Sequence, residues 1–181
     1  MALENVAELA GVLSRRERLG KVFARHAYGM RAWVDLFSSR VAGIADAELK
    51  ALVAELVAVN ARHMLLFRER ALAHGVDPDA YDCPPEGEAI YERIPELGGL
   101  DELAGYALGS LDHFTQLLAV YRDAADGEDR ATIDEVNADV RRMRGALAPL
   151  TKGDGARMAA EAHELYRVRE LVETPRYAHA G

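Results

Sequence analysis

A single cysteine, Cys83, stands among the 181 residues. No internal disulfide is possible, and the chain reads as cytoplasmic. Long hydrophobic runs are missing too. None approaches the roughly 18 apolar residues of a membrane span, and Met1 to Arg16 has no basic region followed by an apolar stretch, so neither a membrane partner nor a secretory signal is expected. A basic surplus is also lacking: 22 Lys and Arg face 30 Asp and Glu, a net of −8. That balance argues against nucleic acid as a partner. Lysine is limited to Lys21, Lys50 and Lys152, which reads as coding bias. There is no Gly-x-Gly-x-x-Gly, phosphate loop, Cys-x-x-Cys or Gly-x-Ser-x-Gly, so nucleotide-binding, zinc-ribbon and serine-hydrolase classes have no support. β-branched runs and strand-like alternation are absent as well.

What remains is rich in alanine and leucine with helical spacing, which predicts an all-α fold. A first amphipathic stretch, residues 2–13, carries Leu3, Val6, Leu9 and Leu13. Ser14 and Glu17 form a candidate capping box for a helix running to about Gly43. Its apolar face is Leu19, Phe23, His26, Met30, Trp33, Phe37 and Val41. Gly43 suits the end of that helix and Asp46 the N-cap of the next, which runs from about Ala47 to His74 with Leu49, Val53, Leu56, Asn60, His63, Phe67 and Ala71 on one face. Gly75 stops it. Residues 76–99 are broken by prolines and glycines, with about two helical turns presenting Ile90, Tyr91 and Ile94; a connection of this length is long enough to run the length of a bundle. A third long helix, about 100–123, carries Leu103, Tyr106, Ser110, His113, Leu117 and Val120. A polar loop at 125–129 precedes a helix over about 131–148, with Ile133, Val136, Asn137, Val140, Met143 and Leu147 inward. A last helix, about 156–173, turns Met158, Ala162, Leu165, Val168 and Val172 inward. Residues 1–173 read as one domain and 174–181 as a flexible tail.

Four of the six histidines sit near mid-helix on four helices. Folding the first hairpin about position 44.5 puts His26 level with His63; His113 is central and inward on its helix, and His163 lies at the edge of an apolar face. Imidazoles on facing helices suit iron or another transition metal. Glu161 is the nearest candidate carboxylate, with Glu164 and Asp112 behind it. Three histidines and one carboxylate balance the charge of one divalent ion better than of two. Tyr106 and Asn60 are then candidate catalytic or substrate-orienting groups. The competing reading makes each histidine a satisfied core residue and Asn60 a buried amide paired with Tyr106 or Asn137. Cys83 has no neighbour that would lower its pKa and reads as inert. The arginine runs, Arg68 and Arg70 among them, read as solvated, with an anionic substrate group as their functional alternative.

The order of elements and the spacing Asn60-Ala61-Arg62-His63 resemble the ferritin-like superfamily over roughly residues 14–173. The family places Glu where this chain has Asn60, and of its ligand set His63 is carried over. The resemblance implies a four-helix bundle with one long crossover and an additional C-terminal helix, and a metal-dependent oxidase or oxygenase acting on a small-molecule substrate. The alternative is a metal-free bundle that binds an apolar ligand or a protein partner, its histidines structural. Val34, Leu65 and Leu66, apolar residues on polar faces, suggest a homodimer.

Overall fold

The computed structural model describes residues 6–178. Leu3 of the first amphipathic stretch and the last three residues of the expected tail lie outside that range. Seven α-helices follow in order, with no strand among the described residues: α1 Val6–Leu13, α2 Leu19–Val41, α3 Ala47–Ala73, α4 Pro85–Glu92, α5 Leu100–Ala124, α6 Gly127–Leu147 and α7 Asp154–Ala178. The all-α class expected from composition is the one adopted. No helix among the described residues is long and apolar enough to cross a membrane.

The chain divides into two compact units. Gly20–Asp82 is one, and the described residues before and after it form the other. The boundaries lie between Leu19 and Gly20 and between Asp82 and Cys83, the second inside the 76–99 segment.

In the unit Gly20–Asp82, α2 and α3 form an antiparallel hairpin. Asp46 caps α3 as expected, its carboxylate accepting from the Leu49 N–H at 2.8 Å. Phe23 stacks on Phe67 across the hairpin with ring centroids 5.9 Å apart, and within α2 Trp33 stacks on Phe37 at 4.8 Å. Phe23 and Phe67 are fully buried, each a gain of about 1.5–3 kcal/mol over exposure. Gly75 ends α3 with φ +72°. Its N–H bonds Leu72 O at 2.9 Å and the Val76 N–H bonds Ala71 O at 3.0 Å, a Schellman closure that needs the left-handed residue.

In the other unit α5 is central. α6 returns antiparallel along it, tied by Arg122 to Asp134 at 2.5 Å and by Arg144 to Asp112. α7 then runs parallel to α5. The two backbones touch through small residues: a Cβ added at Gly105 would lie 1.9 Å from Gly155 O, and one at Gly109 would lie 2.0 Å from Ala159 O. α1 packs on α7 and α5, and α4 packs on α7. Ile90, Tyr91 and Ile94 are buried, as their spacing suggested.

Several local expectations change. Ser14 does not cap α2; its hydroxyl donates back to Gly11 O at 3.3 Å, and the chain makes a 3-10 turn at Arg16–Arg18 before α2 begins. Gly43 does not adopt a positive φ, whereas Gly127 does and opens α6 four residues earlier than expected. α7 continues through Pro175 to Ala178, with Thr174 and Tyr177 buried, where a loose tail was expected. A proline this near a helix end forfeits only one backbone hydrogen bond. The inward face of α7 also differs. Val168 is exposed, and the buried stripe is Met158, Ala162, Tyr166, Arg169, Glu170, Glu173 and Tyr177. Charged groups occupy that stripe because their partners are buried with them.

Candidate functional site

The residues singled out from sequence fall into both units. His26 and His63 are buried on α2 and α3, with the His26 ring 5.5 Å from that of Phe67. Asn60 is buried beside them on α3, and its amide donates to Leu56 O at 2.7 Å, a bond within its own helix and not to Tyr106 or Asn137.

On α5 and α7, His113 and His163 meet edge to face at 5.6 Å. His113 Nε2 lies 4.0 Å from a carboxylate oxygen of Glu170, and both side chains are 1% exposed. Glu170, two turns beyond His163, was not among the sequence candidates. Glu161 was, and its carboxylate is taken by guanidinium groups: Arg93 Nε at 3.1 Å and Arg157 Nη1 at 3.5 Å. Tyr106 donates its hydroxyl to Ile90 O at 2.6 Å, fastening α4 to α5, and burial pushes its pKa well up. Among the described residues no three His, Cys, Asp or Glu side chains are grouped so as to hold a metal ion.

A second polar cluster gathers around Arg169. Its Nε donates to Glu173 at 2.6 Å, Nη1 donates to the Tyr91 hydroxyl, and Nη2 lies 3.8 Å from Cys83 Sγ. Tyr177 donates to the other Glu173 oxygen at 3.4 Å. Gly87 lets α4 settle on this pair: a Cβ there would be 2.6 Å from Cys83 Sγ and 3.2 Å from Arg169 Nε. Burial raises the Cys83 thiol to about 11, against the opposing pull of Arg169. A thiol raised in this way is neutral at pH 7 and a weak nucleophile. This cluster is closed on all its donors and works as a clasp between α4 and α7.

An open feature lies within Gly20–Asp82. A groove of about 310 Å³ is lined by Ala27, Tyr28 and Arg31 of α2, by Met64, Leu65 and Arg68 of α3, and by Pro78, Asp79 and Tyr81 of the turn after α3. Each helix contributes positions i, i+1 and i+4, a second face beside the core stripe. The turn is built by Asp77, whose carboxylate accepts from the Asp79 N–H at 3.0 Å. It is locked to α3 by Arg68, which donates to the two Asp79 oxygens at 2.5 and 2.7 Å. That pairing, above all the hydrogen bond from Arg68, lowers the Asp79 pKa. Tyr28 and Tyr81 form an aromatic wall, ring centroids 5.2 Å apart, with the Arg31 guanidinium 5.3 Å over Tyr28. Leu65 is 59% exposed at the lip. Of these residues sequence reasoning singled out Arg68, with an anionic substrate group as its functional alternative, and Leu65, as an apolar residue on a polar face. The spacing of Tyr28 and Arg31 against Met64 and Arg68 was the available signal for the rest.

No family model matches the chain, nor does any curated protein or solved structure.

Proposed function

We propose that this chain is a helical binding protein that takes a small, largely apolar organic molecule in the groove formed by α2, α3 and the turn at Pro78–Ala80, with its core histidines in structural roles. The observation that carries this reading is the groove itself. It is concave, has an aromatic wall and an apolar lip, and has a few fixed polar groups, the usual composition of a small-molecule site. At about 310 Å³ it stands at the small end of such sites. The ferritin-like kinship is part of the same proposal, supported by the order of elements along the chain: hairpin, long connection, hairpin, trailing helix. So is a cytoplasmic setting, supported by the single cysteine. A homodimer is a further part of it; exposed Leu72 on α3 is an apolar group free to meet a second copy.

The competing reading is the metal-dependent oxidase. Its best support is the approach of His113, His163 and Glu170 on facing helices. One experiment separates the two. Protein purified without a histidine tag is assayed for metal by elemental mass spectrometry and then titrated with 2-naphthamide, a neutral aromatic probe, while backbone amide resonances are followed by NMR. The binding reading expects no stoichiometric metal and saturable shifts clustered at residues 27–31, 64–68 and 79–81. A ligand of 13 heavy atoms at about 0.3 kcal/mol per atom gives a dissociation constant on the order of 1 mM. About one iron, copper, zinc or manganese per chain, with no shifts at the groove, would overturn it in favour of the enzyme.

A further inference from the structure

The groove is not electrically neutral, and this sets the class of molecule it takes. Two guanidinium groups and one carboxylate line it. Arg68 and Asp79 satisfy each other through two parallel hydrogen bonds, so that pair presents little net charge. Arg31 is different. It is exposed and has no hydrogen bond or ion pair among the described residues; its guanidinium lies over the face of Tyr28 and is near enough to Asp79 to help lower that carboxyl's pKa. That contact holds the guanidinium beside the aromatic wall and leaves its N–H groups free to donate. With one carboxylate for two guanidinium groups, one net positive charge remains at the edge of an aromatic and aliphatic trough.

We infer that the groove selects a planar organic anion: an aryl carboxylate whose apolar body lies along Tyr28, Tyr81, Met64 and Leu65 while its carboxylate pairs with Arg31. The inference rests on the binding reading above and goes beyond it, since an apolar trough alone would accept a neutral molecule equally well. Arg68 has a positioning role here. It holds Asp79, and with it Pro78 and Tyr81, so that the wall exists before the ligand arrives.

The test compares two probes of one shape, naphthalene-2-carboxylate and 2-naphthamide, on the wild-type chain and on Arg31→Gln. Arg31 is exposed, so the variant keeps its fold, which an unchanged thermal transition verifies. In low salt the carboxylate binds the wild type about fivefold tighter than the amide, the upper range for a partly exposed ion pair. Arg31→Gln removes that difference and leaves amide affinity within about twofold of wild type. Salt at about 0.5 M narrows the wild-type difference through screening. Equal affinities of the two probes for the wild type overturn the anion inference while the binding reading stands. Discrimination that persists in Arg31→Gln also overturns it, because another group must then read the charge. If neither probe shifts groove resonances, the binding reading itself fails and the inference falls with it.

Discussion

Arg169 is 3% exposed. A guanidinium taken out of water loses several kcal/mol of hydration, and Glu173, Tyr91 and Cys83 are what it receives in return. Removing one member of such a pair is worse than removing both. Arg169→Met leaves the Glu173 carboxylate buried without its cation, with an expected loss of about 3–5 kcal/mol. The double change Arg169→Met with Glu173→Leu recovers most of that loss. Urea unfolding of the three proteins measures it, and equal losses in the single and double variants would show that the pair is not coupled. The same residues mark where sequence reading stopped. A helical stripe is recognised by its apolar members, and α7 buries Arg169, Glu170 and Glu173 while it exposes Val168. Nothing in spacing distinguishes a paired buried charge from a solvated one, so Glu161 was preferred to Glu170. Asn60, His63 and His113, set among apolar neighbours, were correctly placed as buried.

Helix starts and stops were legible where one residue decides them. Asp46 and Gly75 act as their chemistry requires. Connections that depend on packing were not: α7 keeps its helix past Pro175 because Thr174 and Tyr177 have buried places to fill. The contact between α5 and α7 was legible in principle, since Gly105 and Gly109 lie four apart and face Gly155 and Ala159, a small-residue spacing that lets backbones touch. Its energetic consequence is direct. Gly109→Ala forces a methyl group to 2.0 Å from a carbonyl oxygen of Ala159, and the helices must separate. A loss of at least about 2 kcal/mol is expected, from overpacking that neither backbone can relieve. Gly145→Ala is the control. It lies inside α6 with nothing within 4 Å of the added Cβ, and helix propensity then favours alanine by up to about 1 kcal/mol. Thermal unfolding should move the two variants in opposite directions. A Gly109→Ala chain as stable as the wild type would contradict the close contact.

The molecule as a whole carries a net charge of −8, which disfavours the approach of any anion at low ionic strength. A site for an organic anion on such a chain has to be local, a single cation beside an apolar wall, and Arg31 over Tyr28 meets that condition. The groove is contained in the unit Gly20–Asp82 and needs no residue from the other. The most direct measurement is anomalous diffraction from crystals of the chain grown with 6-bromonaphthalene-2-carboxylate. The account predicts a bromine peak in the groove bounded by Met64, Leu65 and Tyr81, with density for the carboxylate at the Arg31 guanidinium. A bromine peak elsewhere with the groove empty, or a carboxylate turned away from Arg31, would contradict it.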